Sequence, residues 1–189
     1  SQAALAIDTA ALYGREHHVA SVLQGSILPK SLPEYPELES SSVYLAAGEE
    51  VEIGGDYFDV FKDTEDRIVL AIGDVCGKGV EAATKTSMIK YMTRGLVAAR
   101  LGPAEVLAEV NKAVSESGDP SEIVTLWVGR IDVDAGTLCY ADGGHPPAFI
   151  RHARDGSTER LPTTGALLGA FEDAEYEEEE VAFESDDIL

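Results

Sequence analysis

Two aspartates set beside glycines carry the clearest chemical signal in this chain. Asp56 lies in Gly54-Gly55-Asp56-Tyr57-Phe58-Asp59, and Asp74 in Gly73-Asp74-Val75-Cys76-Gly77-Lys78-Gly79. Two facing carboxylates repel unless a cation or a proton lies between them. A donor set made of oxygen alone suits a hard divalent metal such as Mg²⁺ or Mn²⁺. Whether the two face each other depends on the residues between them. Residues 57–62 and 67–72 are short apolar-rich runs separated by Asp63-Thr64-Glu65-Asp66, the pattern of a hairpin with a polar turn. A hairpin brings its outer ends together, so Asp56 and Asp74 are predicted to meet. The adjacent glycines let the backbone bend and let a ligand approach without a Cβ in the way. A carboxylate beside glycine also caps turns, so spacing alone leaves both readings open. Asp59, three residues on from Asp56, is expected on the opposite face in structural hydrogen bonding.

Other chemistry-bearing residues give weaker signals. A helix is predicted over 80–100, so free N–H groups at its start would point back at the acidic turn, as in phosphate sites. Lys78 would add a positive charge there, but the longer glycine loop ending in Gly-Lys-Ser/Thr is missing. Cys76 sits where a helix terminus would lower a thiol pKa, yet nothing in the sequence pairs it with a base. His145, inside Gly143-Gly144-His145-Pro146-Pro147, reads as a turn residue whose ring bonds to nearby groups, with metal ligation or acid–base work as the alternative. His17 and His18 read as solvated. The acidic run 172–180 reads as a solvated strand edge that discourages edge pairing.

These residues need a scaffold, and the chain has room for one. Its 189 residues allow a single domain with a proper core plus an extra helix. The formal charge of −21 repels nucleic acid and anionic lipid, so neither is an expected partner, and basic surfaces or cations are. The two cysteines, Cys76 and Cys139, have no metal or disulfide spacing, which fits a reducing cytoplasm. No apolar run reaches membrane-spanning length. Residues 2–26 read as one helix with Leu5, Leu12 and Val19 at heptad spacing, either packed on its own domain or linking to a partner helix. Pro29, Pro33 and Pro36 then mark an extended connector. Further strands are expected over 41–53, 123–133, 137–141, 148–152 and 158–161, with weak alternation over 175–183. A second helix starts at Pro103 and ends near Ser117. Strands, two consecutive helices, then hairpins make an α+β domain with antiparallel sheet.

Taken together, these stretches resemble the bacterial PPM-type (protein phosphatase 2C-like) serine/threonine phosphatases of the SpoIIE branch, which act in sigma-factor control. The two aspartate motifs carry the resemblance. Glu81-Ala82-Ala83, Val106-Leu107 to Asn111, Thr125-Leu126-Trp127, Gly143 to Pro147, Ala166-Leu167-Leu168-Gly169 and Asp187-Ile188-Leu189 add to it. The resemblance implies a β-sandwich of antiparallel sheets flanked by helices, with two Mn²⁺ or Mg²⁺ ions at one end. It implies Asp56 as a ligand of one metal, Asp74 as the bridge between both, and the Val75 carbonyl as a further ligand. The activity implied is removal of phosphate from phosphoserine or phosphothreonine by metal-activated water, leaving Cys76 a bystander. The implied substrate is a phosphorylated anti-sigma-factor antagonist. Residues 1–28 resemble a linker helix running out of a GAF- or PAS-type sensor domain, with a homodimer contact through that helix. Residues 29–189 would be the phosphatase domain.

Two departures bear on these expectations. Eukaryotic relatives carry a histidine two positions after the bridging aspartate, where this chain has Cys76. The family's later Thr-Asp-Gly motif, source of another metal-binding aspartate, normally follows the equivalent of Asp187-Ile188-Leu189, so the sequence reads as a domain truncated at its C-terminus, with weakened metal binding. The competing functions are a non-catalytic partner-binding domain of the same fold and a two-metal hydrolase of small phosphate esters.

Overall fold

The polar turn at 63–66 closes the hairpin that the sequence predicts. The structure is a computed structural model describing residues 31–43, 55–77, 79–117 and 123–189, together with 14, 15, 19, 25, 27 and 29. Strand β1 (Tyr57–Lys62) pairs antiparallel with β2 (Arg67–Val75), and β2 with β3 (Val124–Asp132). β3 then pairs with β4 (Thr137–Gly143), and β4 with β7 (Glu179–Ala182), giving one antiparallel sheet in the order β1-β2-β3-β4-β7. β5 (Phe149–Arg151) and β6 (Thr158–Arg160) form a second, two-stranded sheet. Two helices, α1 (Gly79–Ala98) and α2 (Pro103–Glu116), lie between β2 and β3 in sequence.

Strict alternation along the strands gives the large sheet two apolar faces. Tyr57, Phe61, Val69, Ala71, Leu126 and Val128 pack with Ile89, Val97, Val106, Leu107 and Val110 of the helices. On the other face, Trp127, Ile131, Leu138 and Tyr140 pack with Ile150 of β5 and Leu161 just beyond β6. Trp127 and Tyr140 stack there with ring centroids 5.8 Å apart. Ile188 bridges to β5, exchanging backbone hydrogen bonds with Arg151 at 2.8 and 3.0 Å. The expected α+β sandwich is therefore present as one full sheet, a helical layer and a short second sheet.

Helix α2 starts where Pro103 supplies a preset φ and needs no hydrogen bond. The Gly102 N–H donates to Glu105 at 2.8 Å, and the Ala104 N–H donates to Glu178 at 3.1 Å. Glu178 therefore corrects the reading of 172–180 as a merely solvated edge: one of its carboxylates caps a helix. A second correction concerns α1. Met88 and Tyr91, apolar by residue type, are exposed on it, while Thr86, Lys90 and Thr93 are buried, so residue type alone misassigns its faces. Thr86 and Lys90 find partners in the loop before β1 and in Asp59 of β1, as described below. β2 also runs to Val75, three residues past its predicted end, which places Asp74 inside the sheet rather than in a turn.

Residues 41–43 are irregular rather than strand. The rest of the predicted 41–53 strand, the helix over 2–26 apart from isolated positions, His17, His18 and Lys78 lie outside the described residues. Among the described residues no helix is long and apolar enough to cross a membrane.

Candidate active site

Asp56 and Asp74 meet at the open end of the first hairpin. Tyr57 pairs with Gly73, and the Val75 N–H donates to the Gly55 carbonyl at 3.2 Å. Continuing that register by one step sets Asp56 opposite Asp74. Asp74 in turn pairs with Thr125 of β3, so the three side chains form one row across three strands on the face turned away from the helices. Asp56 is exposed and Asp74 half-buried. Burial raises the Asp74 carboxyl above its usual range, and the nearby Asp56 charge raises it further.

Glycine is needed on both sides of this row for space. A Cβ on Gly55 would lie 1.8 Å from the Val75 carbonyl oxygen, and one on Gly73 would lie 2.6 Å from the Thr125 carbonyl oxygen. The Val75 carbonyl is therefore held against the Gly55 backbone, immediately before Asp56. From the other side, the buried Thr86 hydroxyl of α1 lies 3.3 Å from the Gly55 carbonyl and donates to Ala82 of its own helix at 2.8 Å. Helix α1 begins at Gly79, which has a φ of 80° that side-chain-bearing residues avoid. Cys76 is exposed, and its N–H donates to the Ile123 carbonyl at 2.9 Å.

Thr125 connects the aspartates to a residue that spacing did not place here. Its Oγ1 accepts from the Asp74 N–H at 3.3 Å and lies 2.8 Å from Nδ1 of His145. The corner carrying His145 turns at Gly144, with a φ of 73°, and folds the ring back over β3. Asp142, almost wholly buried, accepts from the His145 N–H at 2.8 Å, and its own N–H donates to Thr164 at 2.9 Å. Burial raises the Asp142 carboxyl, opposed by the N–H groups of His145 and Gly144 and by the Thr163 hydroxyl. Burial also lowers the His145 imidazole below its ordinary value, against the opposing pull of Asp56. His145 is thus a neutral ring at the aspartate end of the sheet. Its Gly-Gly-His-Pro-Pro setting was visible as a rigid corner, but only the β3–β4 register brings that corner beside Asp74.

Asp59 does what its position predicted. It faces the helices, buried, and takes both Nε and Nη2 of Arg94, the latter at 2.8 Å, with Lys90 Nζ at 3.7 Å. Lys90 also donates to the Ile27 carbonyl. This cluster ties α1 to β1 and takes no part in the aspartate row.

Among the described residues no group of three or more His, Cys, Asp or Glu side chains could enclose an ion. Two carboxylates, one of them raised by their mutual repulsion, together with the adjacent carbonyl at Val75, match the donor chemistry of Mg²⁺ or Mn²⁺.

This antiparallel sandwich with aspartates paired across its first hairpin is that of the bacterial PPM, or protein phosphatase 2C-like, class. Residues 64–189 match the family model described as Stage II sporulation protein E (SpoIIE), and the chain belongs to that family, in its SpoIIE/RsbU branch. It is 30% identical over 174 residues to the phosphoserine phosphatase RsbU of Bacillus subtilis (strain 168), an alignment covering 92% of this chain and 51% of that protein. The crystal structure of the RsbU and RsbW domains of Rv1364c from Mycobacterium tuberculosis superposes with a TM-score of 0.65 at 33% identity, covering 76% of this chain and 40% of that one. The SiaA-PP2C domain of Pseudomonas aeruginosa shares the fold, with a TM-score of 0.68 at 18% identity over 93% of this chain and 69% of its own. The chain spans about half the length of RsbU.

Proposed function

We propose that this chain is the catalytic module of a metal-dependent phosphatase that removes phosphate from phosphoserine or phosphothreonine in a protein. The observation that carries the reading is the Asp56–Asp74 pair, set face to face by the hairpin register, with the Asp74 carboxyl raised by burial and by the Asp56 charge. In this reading Asp56, Asp74 and the Val75 carbonyl would hold Mn²⁺ or Mg²⁺. Such ions, when bound, supply an acidified water and neutralise phosphoryl oxygens. The chain's own residues do the rest. Gly55 and Gly73 keep the backbone of the site close-packed, Thr125 fixes the amide of Asp74, and α1 braces the Gly55 loop through Thr86. Cys76 takes no chemical part. The similarity to the phosphoserine phosphatase RsbU supports a phosphoserine substrate, and we extend the proposal to a phosphorylated anti-sigma-factor antagonist as that substrate and an upstream sensor domain as the source of regulation.

The test is calorimetric titration of Mn²⁺ into the parent and Asp74→Asn, in this chain and in one extended beyond Leu189. A panel of phosphopeptides and nucleotides is then assayed with the same proteins. Saturable binding lost in Asp74→Asn, with turnover of phosphopeptides over nucleotides, is the expected result. A strong nucleotide preference would replace the protein substrate with a small phosphate ester. One observation favours a second reading, a partner-binding domain without catalysis: no third ligating side chain joins the pair among the described residues. Absence of Mn²⁺ binding in both lengths of chain would establish that reading instead.

A further inference from the structure

The proposed reaction leaves one built feature unused. His145 is held at two points, its N–H by the buried Asp142 carboxylate at 2.8 Å and its Nδ1 by the Thr125 hydroxyl at 2.8 Å. Gly144 turns the chain so that the ring returns over β3, and Pro146 and Pro147 stiffen the segment that follows. A surface turn histidine needs none of this.

The hydrogen bonds at Thr125 favour one tautomer of the ring. A hydroxyl has one proton to give. Thr125 Oγ1 already accepts from the Asp74 N–H, and among the described residues His145 Nδ1 is the other group bonded to it. The arrangement that gives the hydroxyl proton an acceptor sends it to Nδ1 and puts the ring's own proton on Nε2. Donating instead from Nδ1 would give Thr125 two donors and leave its proton without a partner. Half-burial keeps the ring neutral, in keeping with that arrangement.

We propose that His145 is the phosphate-facing hydrogen-bond donor of this site, its Nε2–H aimed by Thr125 at the oxyanion of the phosphoester, with Thr125 as the positioning residue. The inference rests on the phosphatase reading above. Its ligand class is a phosphoryl oxygen beside the Asp56–Asp74 pair. The role differs from that of a general acid, because a neutral imidazole donates a hydrogen bond to developing charge without passing on its proton. The same Thr125 hydroxyl touches the Asp74 amide and the ring, so metal ligand and donor are set by one group.

The experiment has a spectroscopic arm and a kinetic arm. Long-range ¹⁵N–¹H spectra of the imidazoles, recorded on this chain in Mg²⁺, should show His145 with unprotonated Nδ1 and protonated Nε2. Saturating inorganic phosphate should shift the Nε2 resonance. Thr125→Val should mix the two tautomers, and Thr125→Ser should restore the parent spectrum. In the extended chain, His145→Ala should lower kcat/KM for a phosphopeptide about a hundredfold, with Mn²⁺ affinity unchanged. His145→Gln, which keeps a side-chain N–H, should recover part of that loss. A protonated Nδ1, a resonance indifferent to phosphate, or His145→Ala at the parental rate while Asp74→Asn is inactive would each overturn the proposal and leave the phosphatase reading standing. Loss of Mn²⁺ affinity in His145→Ala would make the ring part of metal binding and overturn it as well. Asp74→Asn at the parental rate would remove the phosphatase reading and this inference together.

Discussion

Asp56 and Asp74 stand opposite each other across the last rung of the first hairpin, one step beyond the Tyr57–Gly73 pair. Burial of Asp74, with the Asp56 charge added to it, raises the Asp74 carboxyl and makes its ionisation a cost to the fold. A carboxyl whose pKa is raised by folding destabilises the fold once pH exceeds its unfolded value, and protonation relieves that cost. Asp74→Asn should therefore melt at a higher temperature than the parent in EDTA at pH 7. Mg²⁺ should raise the parent's Tm and leave the variant's unchanged, by mass action on the folded state. Calorimetric melting in both conditions checks the sign, and a variant that melts lower in EDTA would show that the pair is not mutually strained.

Gly55 is where the metal row and the fold meet. Adding a Cβ at this position places it 1.8 Å from the Val75 carbonyl oxygen, a backbone atom that cannot swing aside as a side chain could. Gly55→Ala should cost about 1–3 kcal/mol, as overpacking does. It should weaken Mn²⁺ binding at the same time, because the displaced carbonyl is a proposed ligand. Urea unfolding and Mn²⁺ titration of the same variant separate the two effects. Gly55→Ala with unchanged metal affinity would remove Val75 from the ligand set.

Asp59 illustrates what pattern alone can reach. Its parity against Asp56 was enough to put it on the helix-facing side of β1. Its partners were not legible, because Lys90 and Arg94 sit 31 and 35 residues away on a helix whose buried face carries Thr86, Lys90 and Thr93. The same limit applies to the functional end. The hairpin turn predicted the meeting of Asp56 and Asp74, since that pairing is local. Thr125 and His145 join them only through β3, which follows two helices, and no local pattern encodes the pairing of Asp74 with Thr125. Apolar patterning found the strands and helices, but it does not give the buried face of α1, where Thr86, Lys90 and Thr93 are buried and Met88 and Tyr91 exposed.

Removing the Asp59 carboxylate should be expensive. It leaves Lys90 buried near a carbonyl with no countercharge, and burial already lowers the Lys90 ammonium below its ordinary value while Asp59 holds it up. Asp59→Ala should cost about 3–5 kcal/mol, the range for breaking one side of a buried ion pair. Arg94→Ala should cost less, because that guanidinium is 42% exposed and lies over the Phe61 ring, 4.6 Å from its centre. Urea denaturation of the two variants orders them, and an equal or larger loss for Arg94 would place the energetic weight on the exposed arm. Neither variant should change Mn²⁺ affinity beyond what unfolding explains, since the cluster lies on the opposite face from Asp74.

The last residues of the chain are held by a histidine that can titrate. His152 Nε2 lies 3.0 Å from Glu159 of β6 and its Nδ1 3.2 Å from Asp187, whose carboxylate also accepts from Ala153 at 2.8 Å and Glu184 at 3.1 Å. The Glu159 carboxylate raises the imidazole pKa first, then Asp187, against Arg154 and some desolvation. The Ala153 N–H, helped by Glu184 and His152, lowers that of Asp187. Asp155, in the turn beside Arg154, adds a further negative charge near the ring. A raised histidine stabilises the docked end fully below its unfolded pKa, and that contribution is lost as pH rises through the folded one. A lowered aspartate stabilises above its unfolded pKa, and its contribution is lost as pH falls through the folded one. The dock should therefore be tightest at mildly acid pH, between the two groups' ordinary values, and loosen on either side. Amide exchange at Arg151 and Ile188, which bond to each other across this junction, reads it directly once corrected for the intrinsic pH dependence of exchange. Protection should fall above neutrality in the parent. In His152→Gln the alkaline loss should disappear, because no group on that side titrates, while the acid loss through Asp187 persists. An alkaline loss retained in the variant would mean that another group controls the end of the sheet.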